Sequence, residues 1–297
     1  MPRGYAYGNA RIRAMRSRLF TQADYENMLA KTDIEALISS LDKTPYQKDI
    51  ETALIRVGKN RCVIEAVRQN FTHTINQIRD FYEGRPLALI DLLRRRWDRH
   101  NLLTILRGQS RDVPSIQVLA ATIPAGQLDE GALRELARQP GLRATIDLMT
   151  TWNLPSARPL RQVQARRGAT PDLDQLELAL NQFYYHSLLD ELGTGDKNQR
   201  ILREQVQTEI DLVNLRTTLR LVSMPGVTAL VKQRYNATSV RPLFIEPEGF
   251  LPVSGLVELV STAGTLEQVV RSLSRTRYGS ALEAGWQRYQ AEGGNFT

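Results

Sequence analysis

Apolar residues recur at steps of three and four over most of this chain, the spacing that lines up one face of an α-helix. In the opening stretch Tyr5, Gly8, Ile12, Met15 and Leu19 make one such stripe. A second helix is expected after Thr21, whose hydroxyl suits an N-cap, and a third after Thr32 or Asp33 in the same role. The period continues through Ile55, Ile64, Val67, Phe71, Ile75, Ile78 and Tyr82, so residues 50–82 read as helical throughout, up to a break at Gly84 and Pro86. A strong helix follows from about Leu87 to Arg107. Prolines at 114, 124, 140, 155, 159 and 171 then divide residues 110–171 into short helices and loops. A long helix opens with Thr170 as cap and Pro171 in its first turn, and ends at "GTGDKN" (193–198). Another runs from about Gln199 to Val222; residues 235–255 form a connection, and helices resume near Ser254. Clean period-two alternation is absent, so the fold class is all-α.

Internal repetition sets the expected architecture. "IEALISSLDKTPYQKDIETAL" from Ile34 aligns without gaps on "LEQVVRSLSRTRYGSALEAGW" from Leu266. Glu35 meets Glu267, Ser40 meets Ser272, Leu41 meets Leu273, Thr44 meets Thr276, Tyr46 meets Tyr278 and Glu51 meets Glu283, with the apolar phase kept. "DRHNLLTILR" (98–107) likewise matches "DLVNLRTTLR" (211–220) at Asp98/Asp211, Asn101/Asn214, Leu102/Leu215, Thr104/Thr217, Leu106/Leu219 and Arg107/Arg220. Glu177 in "LELAL" resembles the Ile/Leu-Glu helices at Glu51 and Glu283. Each unit thus pairs an Ile/Leu-Glu helix with a later Asn-Leu helix that ends in arginine. The first unit spans 21–110 and the second 111–222. The third, 223–297, lacks an Asn helix of its own. "YGNARIR" at the start of the chain supplies one, so residues 1–20 are expected to complete it and to close three similar units around a common axis. Asn9, Asn101 and Asn214 lie on apolar stripes, where a buried amide must be hydrogen-bonded. Their expected role is structural, holding the backbone of a neighbouring segment in register.

Charge and chemistry narrow the function. The chain has 297 residues, 39 Lys and Arg against 32 Asp and Glu, and a net charge of +7 carried mostly by arginine, which favours an acidic partner or surface. One cysteine, Cys62, excludes an internal disulfide and any multi-cysteine zinc site, and its apolar helix face reads as a buried, inert thiol. His73, His100 and His186 each stand alone, with no second ligand one turn away, so no metal is expected. Neither a phosphate-cradling glycine loop nor a nucleophile elbow occurs, and carboxylates that recur with the repeat do not mark a single active site. No cofactor, catalytic residue or small-molecule substrate is expected. The opening has no apolar leader and no window is apolar enough to span a membrane, so a cytoplasmic chain is expected. "RRRWDRH" (94–100) has the composition of a phosphate-binding run, but Asp91 and Asp98 offer it partners, which favours a salt-bridged helix face. An arginine-rich helical nucleic-acid-binding protein is the alternative reading, and it predicts DNA binding that falls steeply with salt.

The opening "YAYGNARIRAMRSRLF" resembles the Tyr-x-x-Asn-Ala-Arg-x-Arg start of the C-subunit family of V/A-type ATPases and ATP synthases, the counterpart of the d subunit in the eukaryotic vacuolar enzyme. "DRHNLLTILRG" and "EIDLVNLRTTLRL" are similar to its Asn-Leu helices, and "LELALNQFYYHSLLDEL" to its Leu-Glu-x-Ala-Leu…Tyr-Tyr helix; residues 139–170 match no motif. The resemblance implies an all-α, funnel-shaped protein of three similar units around a pseudo-threefold axis. It implies a non-catalytic rotor component, peripheral on the cytoplasmic face of the membrane, that joins the central stalk of D and F subunits to the membrane rotor ring of proteolipid subunits. Torque for ATP-linked ion transport would pass through it, and nucleic acid would not be a partner. The arginines that trail the Asn helices, Arg11, Arg13, Arg107, Arg216 and Arg220, are the expected partner-binding residues.

Overall fold

The computed structural model describes residues 4–166, 172–247 and 249–293, and among these it contains helices and no strand. The expected cap residue Thr170 and Pro171 lie outside the described residues. In chain order the helices are α1 (Tyr5–Arg16), α2 (Gln22–Leu29), α3 (Ile34–Ser40), α4 (Gln47–Val57), α5 (Lys59–Arg79) and α6 (Gly84–Gln109). There follow α7 (Ser115–Ala120), α8 (Glu130–Ala137), α9 (Leu142–Thr151), α10 (Ala157–Arg166), α11 (Leu173–Leu192) and α12 (Lys197–Val222). The last are α13 (Val227–Tyr235), α14 (Val253–Thr262), α15 (Leu266–Leu273) and α16 (Gly279–Ala291), with a 3-10 turn at Arg241–Leu243. Contacts divide the chain into two compact units, Met1–Leu180 and Asn181–Thr297.

Side-chain caps explain several of the starts. Thr21 and Asp24 form a reciprocal capping box at α2. Asp33, not Thr32, caps α3, its Oδ1 accepting from the Ala36 N–H at 2.8 Å. Asp196 and Gln199 form a second capping box, which starts α12 two residues before the position read from the pattern. Residues 50–82 are not one helix. The chain turns at Gly58, whose φ of 73° is a backbone conformation that only glycine takes cheaply, and α5 begins at the next residue. Apolar residues recur on both sides of the corner and so conceal it, but Ile55 and Ile64 are 91% and 74% exposed and belong to neither buried face. Gly84 and Pro86 also fall inside a helix rather than before one: Pro86 sits in the first turn of α6, where its missing N–H has no intrahelical acceptor to lose.

In the first unit, Ile38, Leu41, Ile50, Ala53, Cys62 and Ala66 pack α3, α4 and α5 together, with Phe20 and Met28 against them. Cys62 is fully buried and its thiol donates to the Lys59 carbonyl at 3.2 Å. A second core joins α6 to α11 through residues such as Ile105, Leu133, Ile146, Met149, Leu160 and Leu176, all fully buried. Each such side chain contributes roughly 1.5–3 kcal/mol relative to exposure. The N-terminal helix lies against the end of α5. Gly8 is buried there at Tyr82, too close for any Cβ, and the Tyr82 hydroxyl donates to Asn9 Oδ1 at 3.0 Å. The second unit has its own core, in which Leu215, Val231, Phe244, Val253, Leu256 and Val269 are buried.

The sequence repeat has a matching local geometry. In the turn between α3 and α4 the Thr44 hydroxyl donates to the Leu41 carbonyl at 2.6 Å, and in the turn between α15 and α16 Thr276 donates to Leu273 at 2.6 Å. Each threonine oxygen then accepts the N–H two residues on, from Tyr46 at 3.2 Å and from Tyr278 at 3.3 Å. The identical Leu, Thr and Tyr residues are thus those that build the turn.

Candidate functional site

The described residues contain no group of three or more His, Cys, Asp or Glu side chains placed to hold a metal ion. Polar chemistry is instead concentrated where the two Asn helices grip a following loop. On α6, Asn101 is fully buried; its Nδ2 donates to the Ile123 carbonyl at 2.7 Å and its Oδ1 accepts the Ile123 N–H at 2.7 Å. On α12, Asn214 is fully buried and does the same with Ile245, at 3.1 and 2.8 Å. A primary amide paired both ways with a peptide group satisfies four polar groups at once, and it fixes the loop to a single residue of the helix.

One turn earlier on each helix an aspartate makes the second grip. Asp98 accepts the N–H groups of Gln127 and Leu128, each at 2.9 Å from Oδ1. Asp211 accepts those of Phe250 at 2.9 Å and Leu251 at 3.1 Å. A glycine precedes each donor pair, Gly126 and Gly249, and a Cβ at either would fall well inside contact distance of the aspartate carboxyl group. Burial pushes the Asp98 carboxyl up from its ordinary value, against the pull of its two backbone donors. Asp211, fully buried, has a third donor, the Tyr278 hydroxyl at 2.7 Å. Burial first, and then this bond, push the Tyr278 phenol up to about 12, so it remains a donor throughout the neutral range.

The aspartates and their glycines are the members of these grips that pattern reading does not single out. Asp98 and Asp211 coincide in the aligned helices, but the groups they hold lie in loops. Those loops read "TIPAGQL" (122–128) and "FIEPEGFL" (244–251), with Ile, Pro, Gly and Leu in the same order and one more residue before the second glycine. The third asparagine differs. Asn9 is exposed, and the Tyr82 hydroxyl is its hydrogen-bond donor.

All five arginines singled out from the sequence are exposed, but they are not equivalent. Arg107 forms a two-pronged ion pair with Glu177, Nε to Oε1 and Nη2 to Oε2 both at 2.6 Å, which ties α6 to α11 within the first unit. That bond, led by the Glu177 carboxylate, raises the guanidinium further above its ordinary pKa. Arg11 lies over the Phe81 ring, 5.1 Å from its centre. Arg216 and Arg220 follow Leu212 at successive turns of α12, and Leu212 is itself 53% exposed. Neither of these two arginines, nor Arg13, has a side-chain partner among the described residues. In "RRRWDRH", Asp91 pairs with Arg94 at 3.0 Å and with Arg79 at 2.8 Å, and Arg94 is buried against the carbonyls of Ala125 and Gly126. That arginine holds a loop in place and is not available to a phosphate.

The described residues thus form a helical chain with two backbone grips built to one plan on α6 and α12. Its relatives name the family. The family model described as ATP synthase (C/AC39) subunit matches residues 8–294, and the chain belongs to that family. It is 23% identical over 286 residues to the C subunit of the A-type ATP synthase of Methanocaldococcus jannaschii, covering 96% of this chain and 69% of that protein. It is 25% identical over 289 residues to the C subunit of the A-type ATP synthase of Haloferax volcanii, covering 96% and 77%. With the C subunit of the V-type ATP synthase of Deinococcus radiodurans it shares 26% over 216 residues, or 72% and 59% of the two chains. Among the described residues no helix is long and apolar enough to cross a membrane.

Proposed function

We propose that this chain is a non-catalytic rotor component of a V/A-type rotary ATPase. In that role it couples a central stalk of D and F subunits to a membrane rotor ring of proteolipid subunits, on the cytoplasmic face of the membrane. The observation that carries the reading is the family match over nearly the whole chain. The paired grips support it physically. A part that passes torque must not shear internally, and each grip ties a loop to a 26-residue helix at two points one turn apart. Three units, 21–110, 111–222 and 223–297 with 1–20, arranged as a funnel about a pseudo-threefold axis, are the architecture proposed. The exposed arginines Arg13, Arg216 and Arg220 are its first candidates for contact with acidic groups of the stalk.

Solubilised membranes carrying a tagged copy of the chain test this. The D and F stalk proteins and the proteolipid ring should co-purify with it, and removing the chain should leave the nucleotide-hydrolysing head without attached ring. Free chain with no such partners, or binding to duplex DNA that falls steeply with salt, would overturn the assignment.

A further inference from the structure

Within the first unit a cleft of about 490 Å³ runs between α4–α5 on one side and α7–α8 on the other. Its apolar part is unusually bare: Ile64 is 74% exposed and Ile116 is 77% exposed, with Val57 and Leu119 beside them. Branched aliphatic side chains on facing helices, uncovered by the chain itself, mark a surface that a partner completes. The rim is cationic. Arg56, Arg61, Arg68, Arg134 and Arg138 line the cleft, against the carboxylates of Glu65 and Glu130. These two carboxylates are already shared: Glu65 holds Arg68 at 2.8 Å and Arg56 at 3.6 Å, and Glu130 holds Arg134 at 3.1 Å and Arg56 at 3.6 Å. Arg138 draws on Glu135 at 3.4 Å, outside the lining. Arg61 is exposed and has no side-chain partner among the described residues.

We infer that this cleft docks an acidic amphipathic helix from another protein chain. The apolar strip between two helix pairs suits the i, i+3, i+4 face of a third helix, and the surplus of guanidinium groups suits carboxylates flanking that face. Other occupants fit less well. A second copy would bring one cationic rim against another, a like-charge arrangement that costs binding energy. A lipid surface needs protruding apolar groups, and these are set in a cleft. A nucleic-acid backbone offers phosphates to the rim but no apolar face to cover Ile64 and Ile116. The inference goes beyond the rotary assignment and stands on the cleft alone.

The test uses the full chain and two synthetic helical peptides with the same leucine spacing, one flanked by Glu and one by Lys, with binding read by fluorescence anisotropy. The Glu peptide should bind, and the Lys peptide should bind at least about tenfold more weakly. Arg61→Glu and Ile116→Asp, both at exposed positions, should each weaken the Glu peptide about tenfold while circular dichroism stays unchanged. Equal binding of the two peptides, or indifference to both substitutions, overturns the inference. So does self-association abolished by Ile116→Asp, and so does preference for phosphatidylserine vesicles over the peptide.

Discussion

Replacing Gly126 with alanine tests the grip on α6 most directly. Gly126 does not have positive φ, so available space, not backbone strain, decides the outcome. An added Cβ would meet the Asp98 carboxyl group first, and even its farther oxygen, Oδ2, would be only 2.6 Å away. The carboxylate must retreat by most of an ångström, and the bonds from Gln127 and Leu128, now 2.9 Å, would open beyond hydrogen-bonding distance. Two bonds to a charged acceptor at about 1.5–2 kcal/mol each, with some overpacking, give a cost of about 3–5 kcal/mol. Asp98→Ala alone should cost about 3 kcal/mol for the same lost bonds. In the Asp98→Ala background the obstacle is gone, so Gly126→Ala should add less than about 1 kcal/mol. Urea unfolding of the two single variants and the double variant measures this coupling. The corresponding pair on α12 should behave differently. A Cβ on Gly249 would also lie 2.5 Å from the Gln207 carbonyl oxygen, which Asp211→Ala does not move. Rescue is therefore expected at residue 126 and not at 249. Additive effects at 126, or equal rescue at both sites, would refute the steric account.

Other consequences are open to measurement. Tyr278→Phe removes a hydrogen bond to a buried carboxylate and should cost about 2 kcal/mol at pH 7. Because the folded phenol titrates at about 12 instead of its ordinary 10, that contribution is fully present below pH 10 and is lost as pH rises towards 12. Wild type and variant should therefore converge in urea midpoint across that window; a gap that stays constant would contradict it. Asn101→Leu and Asn214→Leu each strand a peptide N–H and a carbonyl in the interior and should cost about 2–4 kcal/mol by denaturation, whereas a loss under about 0.5 kcal/mol would remove the asparagine from the account. Arg216→Glu with Arg220→Glu should leave the unfolding midpoint nearly unchanged and weaken capture of the D and F subunits, since neither side chain serves the fold. Unchanged capture eliminates both as contacts. Arg107→Glu, by contrast, should destabilise the chain by placing a carboxylate against Glu177, so its binding data need a stability control.

Much of the helical layout is legible because amphipathic spacing repeats locally. Asn101 and Asn214 are visible for a similar reason: identical residues at identical phase on apolar stripes stand out, and burial of an amide demands a partner. The partner itself is not legible. Ile123 and Ile245 contribute only main-chain atoms, which any residue could supply, and the loops that carry them have no period. The glycines leave a trace in the sequence, Pro-x-Gly-x-Leu in both loops, but the stretch from Asp211 to Gly249 is longer than that from Asp98 to Gly126, so the glycines do not coincide when the two helices are aligned without gaps. Arg107 is obscured for a different reason. Glu177 lies 70 positions away, and nothing in the spacing indicates that α11 brings it alongside. Gly58 is hidden because apolar residues recur without a break on both sides of the corner it makes.

The loop stretches from Ile123 to Gly126 and from Ile245 to Gly249 are each pinned at both ends to one helix, yet they differ in length. The second span has room to lengthen without displacing its helix, because Glu246 and Pro247 face solvent, whereas in the first Ala125 is buried and Arg94 holds its carbonyl. Residues gained or lost in this family should accumulate in the second span and stop short of the isoleucine and glycine that bound it.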